Sequence, residues 1–177
     1  MMRSIGIDVG LTGAIALVDA TGLKDLRDMP VMLKSTGTVR GQVNAAALAE
    51  LLRELTAGHD KQEYMVTIEV IRAMPSQGSA STFSLGHTCG IIEGVVSTLG
   101  LPHKVIAPAV WKNHFGIRAE KTEKGDTKAK ARAKEAAKEM ARALAQRFYP
   151  SAPLARKKDH NRAESLLLAR YGFEKHA

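Results

Sequence analysis

The stretch Ile5-Gly6-Ile7-Asp8-Val9-Gly10, followed by Gly13-Ala14-Ile15-Ala16-Leu17-Val18-Asp19, decides the fold. Two apolar runs separated by a short glycine-containing turn predict a β-hairpin. Because side chains alternate along a strand, Asp8 lies on the face opposite Ile7 and Val9. Its neighbours on that face are glycines, which leave open space around the carboxylate. The hairpin therefore presents one carboxylate from an otherwise apolar strand.

The pattern beyond the hairpin predicts strands that alternate with helices. Further strands are expected at 26–29, 64–70 and 105–106, with a loop at 31–42. Helices are expected from the cap residue Asn44 to Leu55, at 81–99, after Pro108, at 128–147, and from His160 to Tyr171 with a stop at Gly172. The order β-β-β-α-β-α-β-α-α predicts an α/β fold, a mixed sheet flanked by helices. A length of 177 residues predicts a single domain over 1–177.

The positive charge is concentrated in one part of the chain. Residues 128–158 contain ten basic side chains against only Glu135 and Glu139, and so account for the whole net charge of +8. A localised basic surface attracts a polyanion, and nucleic acid is the first candidate. The alternative is a lysine-rich helix that is merely solvated.

Cysteine content and hydropathy limit the setting. The single cysteine, Cys89, excludes an intramolecular disulfide and suits a reducing compartment. The N-terminus resembles no signal peptide, and no apolar run is long enough to span a membrane. These features predict a cytoplasmic protein without a membrane partner.

Acidic residues recur where rigid elements would hold them. Glu69 ends a second apolar strand, and Glu164 lies in the last helix. His160 lies four residues before Glu164 and so within about 40° of it around the helix, whereas Asp159 points away by about 140°. Carboxylates held in this way can bind Mg²⁺, and two such ions can assist phosphodiester hydrolysis. In the alternative interpretations, Asp8 caps a turn, Glu69 and Glu164 face solvent, and Asp159 is the N-cap of the last helix.

Four segments, in order, resemble RuvC-type Holliday junction resolvases, most closely their phage and prophage members. They are the opening hairpin, Ile68-Glu69 with the following helix that contains Ser81-Thr82-Phe83-Ser84-Leu85-Gly86, the segment Val110-Trp111-Lys112, and the helix from Lys158 to Ala169. The resemblance implies an RNase H-like fold with a mixed five-stranded sheet, and a homodimer. It also implies two Mg²⁺ or Mn²⁺ ions per site and paired nicks in four-way DNA junctions, with other branched DNA as candidate further substrates.

Carried over by position, the resemblance assigns roles to particular residues. Asp8, Glu69 and Glu164 are the expected metal ligands. His160 is the expected fourth, with Asp159 as its alternative and Asn161 also in the local string. Lys112 is the lysine expected near the scissile phosphate, with Lys138 as a second choice. The catalytic residues are therefore expected to be Asp8, Glu69, Lys112, His160 and Glu164.

The basic helical insertion around 118–147 departs from shorter members of that family. We interpret it as an extension of the grip on DNA, through phosphate contacts that supply affinity rather than sequence selection. The expected DNA-contacting residues are Arg72, Lys112, Lys128, Lys130, Arg132, Lys134, Lys138, Lys157 and Lys158.

The helix at 81–99 carries small residues at every fourth position, Gly86, Gly90 and Gly94, with Gly100 after it. This spacing permits close helix approach, either at a two-fold dimer interface or against the sheet. Phe83 and Trp111 are both expected in the core.

Two further functions fit the same residues. One is a related RNase H-like nuclease that acts on RNA/DNA hybrids or flaps. The other is a non-catalytic protein that binds branched DNA and has lost the chemistry.

Overall fold

The computed structural model describes residues 1–33, 41–69, 78–118, 122–123 and 125–176. Arg72, predicted to contact DNA, lies outside these ranges, as do Val70 at the end of a predicted strand and residues 119–121 and 124 of the basic insertion. The strands are β1 Arg3–Ile7, β2 Ala14–Asp19, β3 Gly22–Asp28, β4 Val31–Leu33, β5 Gly41–Val43, β6 Tyr64–Glu69 and β7 His103–Ile106. The α-helices are α1 Ala45–Leu55, α2 Ser79–Thr98, α3 Pro108–His114, α4 Thr127–Phe148 and α5 His160–His176.

Five of the strands form one mixed sheet in the order β3-β2-β1-β6-β7, which confirms the predicted fold class. Strand β2 runs antiparallel to both of its neighbours, β1 and β3, whereas β1, β6 and β7 run parallel to one another. In the register of β1 with β6, Ile7 lies opposite Ile68. The residues that follow, Asp8 and Glu69, therefore emerge side by side at the same edge of the sheet.

Helices cover both faces of the sheet. On one face, the apolar side chains of β1 and β6 pack with α1 and α2 in a core that includes Ile5, Leu48 and Ile92. On the other face, α5 packs against the sheet, and α3 and α4 pack outside it around Trp111 and Ala141. Both cores are needed to hold the sheet edge that carries the acids.

Helix α5 lies unusually close to the sheet because two glycines leave it room. A Cβ on Gly6 would collide with the Ser165 carbonyl, and one on Gly172 would collide with the side chains of Thr67 and Ser4. This close packing buries the middle of α5, including Glu164. Gly172 therefore serves helix packing, and the prediction that it ends the helix is wrong: α5 continues to His176.

Two other expectations are corrected. Part of the predicted loop at 31–42 is a small antiparallel hairpin, β4 with β5, in which Val31 pairs with Val43. Phe83, expected in the core, is 74% exposed near the start of α2, where its ring stacks with His87. Apolar character alone does not reveal which face of a helix lacks a neighbour.

The predicted cap of α1 is confirmed. The side chain of Asn44 accepts a hydrogen bond from Ala47 N–H at 3.1 Å and caps α1. Asp126 caps the long basic helix α4 in the same way, through Ala129 N–H at 2.8 Å. Throughout the ranges given above, no helix is long and apolar enough to cross a membrane.

Candidate active site

Asp8 and Glu69 lie at the ends of neighbouring parallel strands. The backbone N–H of Asp8 donates to Ala14 O at 3.0 Å, which continues the β1–β2 ladder to this residue. Glu69 is the last residue of β6 and pairs with Ile106 of β7. The two acids are only 7% and 8% exposed. The strand register thus brings two nearly buried carboxylates to one place.

The third carboxylate comes from α5. Glu164 is 9% exposed, and its neighbours Ala163 and Ser165 are completely buried. Since α5 packs directly on β1 and β6, a side chain from its first two turns reaches the edge where these strands end. Glu164 lines the same cavity as Asp8 and Glu69, which come from distant parts of the sequence.

This cavity has a volume of about 500 Å³ and two chemically different sets of lining residues. We call the three carboxylates Asp8, Glu69 and Glu164 the acidic floor. The same cavity is lined by four lysines, which we call the lysine wall: Lys112 of α3 and Lys130, Lys134 and Lys138 of α4. The structure therefore brings together four of the five residues predicted to be catalytic. It leaves His160 outside the residues that line the cavity.

Burial and mutual repulsion set the electrostatics of the acidic floor. The pKa of Asp8 is raised well above its usual value, first by burial and then by the charges of Glu164 and Glu69. The pKa of Glu69 is also raised, by burial and then by Glu164. Lys112 opposes both shifts. The floor thus holds more negative charge than the surrounding protein compensates, a condition that favours a bound cation.

Two consecutive residues of α3 contact the acidic floor. Lys112 Nζ lies 3.1 Å from Glu164 Oε1 and 4.9 Å from the centre of the Trp111 ring. Trp111 Nε1–H donates to Glu69 Oε2 at 2.7 Å. Trp111 is completely buried, as predicted, but its contact with Glu69 was not foreseen. A buried indole N–H requires an acceptor, which is a signal that such a partner exists but not which residue it is.

The residues around the start of α5 have separate environments. His160 Nε2 lies 3.2 Å from Lys138 Nζ, so the ring contacts one lysine of the wall. Asp159 is held by Arg156, whose backbone N–H donates to it at 2.8 Å and whose guanidinium pairs with it at 2.8 Å. Asp159 thus closes the 3-10 turn Lys157–Asp159, just before the helix that it was predicted to cap. Asn161 Nδ2 donates to Thr12 O at 2.6 Å, across the hairpin turn.

The predicted DNA-contacting residues divide into groups. Lys130, Lys134 and Lys138 are spaced four apart and line the cavity. Lys128 and Arg132 are each two positions from Lys130, about 160° around the helix from it, and do not line the cavity.

Two further predicted DNA-contacting residues, Lys157 and Lys158, lie away from this cavity. Lys157 pairs with Glu135 at 3.1 Å. Lys158 lines a second cavity, of about 470 Å³, beside the hairpin turn that contains Thr12.

The acidic floor carries donor atoms of the kind that bind metal ions. Across the described parts of the chain, no group of three or more His, Cys, Asp or Glu side chains is drawn together closely enough to hold one. The donor set of the floor nevertheless consists of oxygens alone, which suits Mg²⁺ or Mn²⁺. Burial, followed by the charge of neighbouring carboxylates, raises the pKa of Asp8 and of Glu69, and a bound cation would offset both effects. The chemistry of these donors therefore suits a hard divalent cation, while Lys112 pairs with Glu164 in this structure.

Comparisons with known proteins support the fold. No protein-family model matches the chain, and no curated protein matches its sequence significantly. The structure of Thermus thermophilus RuvC in complex with Holliday junction substrate matches over 98% of both chains, with a TM-score of 0.55 and 16% identity. A second T. thermophilus RuvC structure covers 97% of this chain and 98% of its own, with a TM-score of 0.48 and 14% identity. The yeast mitochondrial Holliday junction resolvase covers 99% and 81%, with a TM-score of 0.37 and 11% identity. The match of TM-score 0.55 shows that the chain shares the fold of T. thermophilus RuvC.

Proposed function

We propose that this protein is a divalent-metal-dependent endonuclease that cuts branched DNA, with four-way (Holliday) junctions as its main substrate. The observation that carries the proposal is the cavity of about 500 Å³, which is lined by three nearly buried carboxylates and by four lysines. A phosphodiester is an anion that needs cationic contacts, and its hydrolysis needs a held nucleophile and a stabilised leaving group. The two sets of side chains meet these two needs.

Asp8, Glu69 and Glu164 are the residues that would hold Mg²⁺ or Mn²⁺. Bound there, a pair of such ions supplies an activated water and stabilises the leaving oxygen in phosphodiester hydrolysis. The acids themselves stay ionised when a cation compensates their repulsion. Their rigid placement, on two strand ends and a packed helix, keeps the donor oxygens in position.

The fourth ligand stays a prediction. His160 lies one turn before Glu164 on α5 and touches Lys138, which lines the cavity. Asp159 is engaged by Arg156 and lines the second cavity. We keep His160 as the candidate ligand, because its ring contacts a residue that lines the cavity, whereas Asp159 is held by Arg156. Asp159 is retained as the alternative.

The lysine wall would bind the phosphates of the cleaved strand. Lys130, Lys134 and Lys138 project from successive turns of α4 on one face. Turns of an α-helix are 5.4 Å apart, so the three ammonium groups can follow consecutive phosphates of a strand. Lys112 lies closest to the acids and is the candidate to contact the scissile phosphate. Contacts of this kind position a backbone without selecting its sequence.

A homodimer is part of the proposal, since paired nicks require two sites related by a two-fold axis. A Cβ added at Gly86, Gly90 or Gly94 of α2 would meet nothing within 4 Å in the described residues. These glycines are therefore not needed for packing of α2 on its own sheet. Together with α1, this face of α2 lines an apolar cavity of about 270 Å³. The face suits the approach of a second α2.

The test is cleavage of a synthetic four-way junction in Mg²⁺, Mn²⁺ or EDTA. A linear duplex, a flap and an RNA/DNA hybrid of the same sequence serve as comparison substrates. We expect paired, symmetric nicks in the junction and none with EDTA. Preferential cutting of the flap or hybrid identifies the related nuclease instead. Junction binding without cleavage of any substrate identifies the non-catalytic alternative.

A matched pair of variants controls the experiment. Asp8→Asn changes an acid of the floor, and Asp19→Asn changes an equally buried acid at the opposite end of the same hairpin. Asp19 pairs with Lys24 and Thr21, away from the cavity. We expect Asp8→Asn to lose cleavage and Asp19→Asn to keep it. Equal loss of cleavage in both variants contradicts the site assignment.

A further inference from the structure

Trp111 is the only tryptophan in the chain, and it is buried directly beneath the candidate active site. It lies in the short helix α3, one residue before Lys112. The two side chains contact two different acids of the floor: Trp111 contacts Glu69, and Lys112 contacts Glu164. A single turn of α3 thus reaches both β6 and α5 through the floor.

The bond between Trp111 and Glu69 is of a kind that fixes orientation. An indole N–H can only donate, and a carboxylate can only accept when ionised. At 2.7 Å, Nε1–H keeps Glu69 Oε2 occupied. Charge-assisted bonds of this sort are stronger and shorter than neutral ones. The indole is completely buried in the second core, so its own orientation is set by packing.

The ring of Trp111 also supports Lys112. The ammonium Nζ lies 4.9 Å from the ring centre, within the range of a cation–π contact. The same Nζ is 3.1 Å from Glu164 Oε1. The lysine is therefore held between an aromatic ring and an acid of the floor, with its side chain only 28% exposed.

We propose that Trp111 is a positioning residue of the cavity: its N–H holds one oxygen of Glu69 and leaves the other oxygen to a bound cation, while its ring holds Lys112 beside Glu164. This inference rests on the proposed function, because it requires the acidic floor to hold a cation. Its own content is that a buried core side chain sets the metal affinity of the floor. A tryptophan that only fills the core would affect stability and leave metal affinity unchanged.

The first experiment compares Mn²⁺ binding in the wild type and in Trp111→Phe, without DNA. Free Mn²⁺ is measured by electron paramagnetic resonance, and folding by circular dichroism. Loss of a partner that orients a metal ligand typically lowers metal affinity by 10–100-fold. We expect Trp111→Phe to bind Mn²⁺ roughly 10-fold more weakly, in line with that range. Cleavage should then need correspondingly more Mn²⁺.

The matched control is Tyr64→Phe. Tyr64 begins β6, the strand that Glu69 ends, and its buried hydroxyl donates to Leu55 O at 3.3 Å. The change removes one buried aromatic donor, as Trp111→Phe does, but at the far end of the strand. We expect Tyr64→Phe to lower the unfolding temperature and leave Mn²⁺ affinity unchanged. An equal loss of affinity in both variants overturns the inference.

An isosteric analogue separates the N–H from the volume of the ring. Because the chain has a single tryptophan, replacing it with benzothienylalanine during expression exchanges only the N–H of residue 111 for sulfur. We expect the same loss of Mn²⁺ affinity as in Trp111→Phe. Unchanged affinity in a folded analogue protein overturns the inference, whatever Trp111→Phe does.

The wild-type protein tells failure of the inference from failure of the proposed function. If the floor holds Mn²⁺ next to this indole, Mn²⁺ should quench its fluorescence in a saturable way. Saturable quenching together with unchanged affinity in the analogue defeats only the role of Trp111. A wild type that binds no Mn²⁺ defeats the metal-dependent function, and the inference with it.

Discussion

The acidic floor and the lysine wall line one cavity but are built by opposite means. The floor consists of three acids less than 10% exposed, held by strand ends and by a helix pressed onto the sheet. Three of the four wall lysines project from α4, where the residues in contact with the rest of the protein include small ones such as Ala133 and Ala137. The acids proposed to hold metal ions therefore lie in a well-packed part of the molecule, whereas most of the lysines proposed to bind DNA lie on a more exposed helix. Substitutions on the two sides should therefore fail in different ways.

The largest effect is expected from the floor. Asp8→Asn should lower the cleavage rate by roughly 10³-fold, the scale on which loss of an electrostatic group disables an active site. Junction binding should persist or tighten, because the change removes a negative charge facing the phosphates. Cleavage and gel-shift assays measure the two quantities separately. Cleavage at the wild-type rate would show that Asp8 belongs to no active site.

A smaller effect, on binding rather than chemistry, is expected from the wall. Lys134→Ala should weaken junction binding and reduce the slope of log affinity against log salt by about 0.9, the value for one lost phosphate contact. Lys128→Ala is the matched control on the same helix, since Lys128 does not line the cavity. Its affinity and salt slope should change less. Equal effects of the two substitutions would mean that DNA contacts both faces of α4.

The next effect is on the stability of the fold and comes from Asp159, just before α5. Asp159→Ala should destabilise the fold by about 1 kcal/mol, the usual value for a lost capping group. The Arg156 hydrogen bonds hold the pKa of Asp159 below its ordinary value. Its contribution is therefore present above the unfolded-state pKa and is lost as the pH falls through the lower folded-state pKa. Thermal unfolding from pH 7 to pH 2 measures this difference.

The same variant decides between the two candidate fourth ligands. If Asp159 only closes the turn before α5, Asp159→Ala should keep the Mn²⁺ affinity of the wild type. His160→Ala should lower it. The reverse result would assign the ligand role to Asp159 and require Arg156 to release it.

The smallest effect is expected on the stability of the metal-free floor. The pKa of Asp8 is raised in the folded state, first by burial, so its ionisation opposes folding. Stability from this group falls as the pH rises from the unfolded-state pKa through the folded-state pKa, and the loss is complete above it. Asp8→Asn should therefore raise the unfolding temperature in EDTA at neutral pH by a few degrees, and less at acidic pH. An unfolding temperature that falls at neutral pH would mean that Asp8 stabilises the fold.

Local patterns in the sequence predict the floor well and its surroundings less well. Asp8 and Glu69 stand out because each interrupts or ends an apolar strand, and neighbouring strands then bring them together. Glu164 is separable from the other polar residues of its helix only by the resemblance to a known family. Its burial depends on the contact of α5 with Gly6 and Gly172, which only the folded sheet provides.

The contacts of the site that escaped prediction join distant segments. The bond from Trp111 to Glu69 spans 42 positions, and the contact of Lys138 with His160 spans 22. The spacing of four residues correctly relates His160 to Glu164 on a helix, but it does not reveal that Lys138 of α4 contacts His160. Likewise, the exposure of Phe83 reflects a missing neighbour rather than its own apolarity.

The most direct test is a crystal structure of the protein grown with Mn²⁺ and examined by anomalous scattering at the manganese edge. If the proposed function is correct, anomalous density appears in the cavity, with oxygens of Asp8, Glu69 and Glu164 as ligands and with Lys112 withdrawn from Glu164. Manganese bound elsewhere, or a cavity without manganese in which Lys112 still pairs with Glu164 at saturating Mn²⁺, would contradict it.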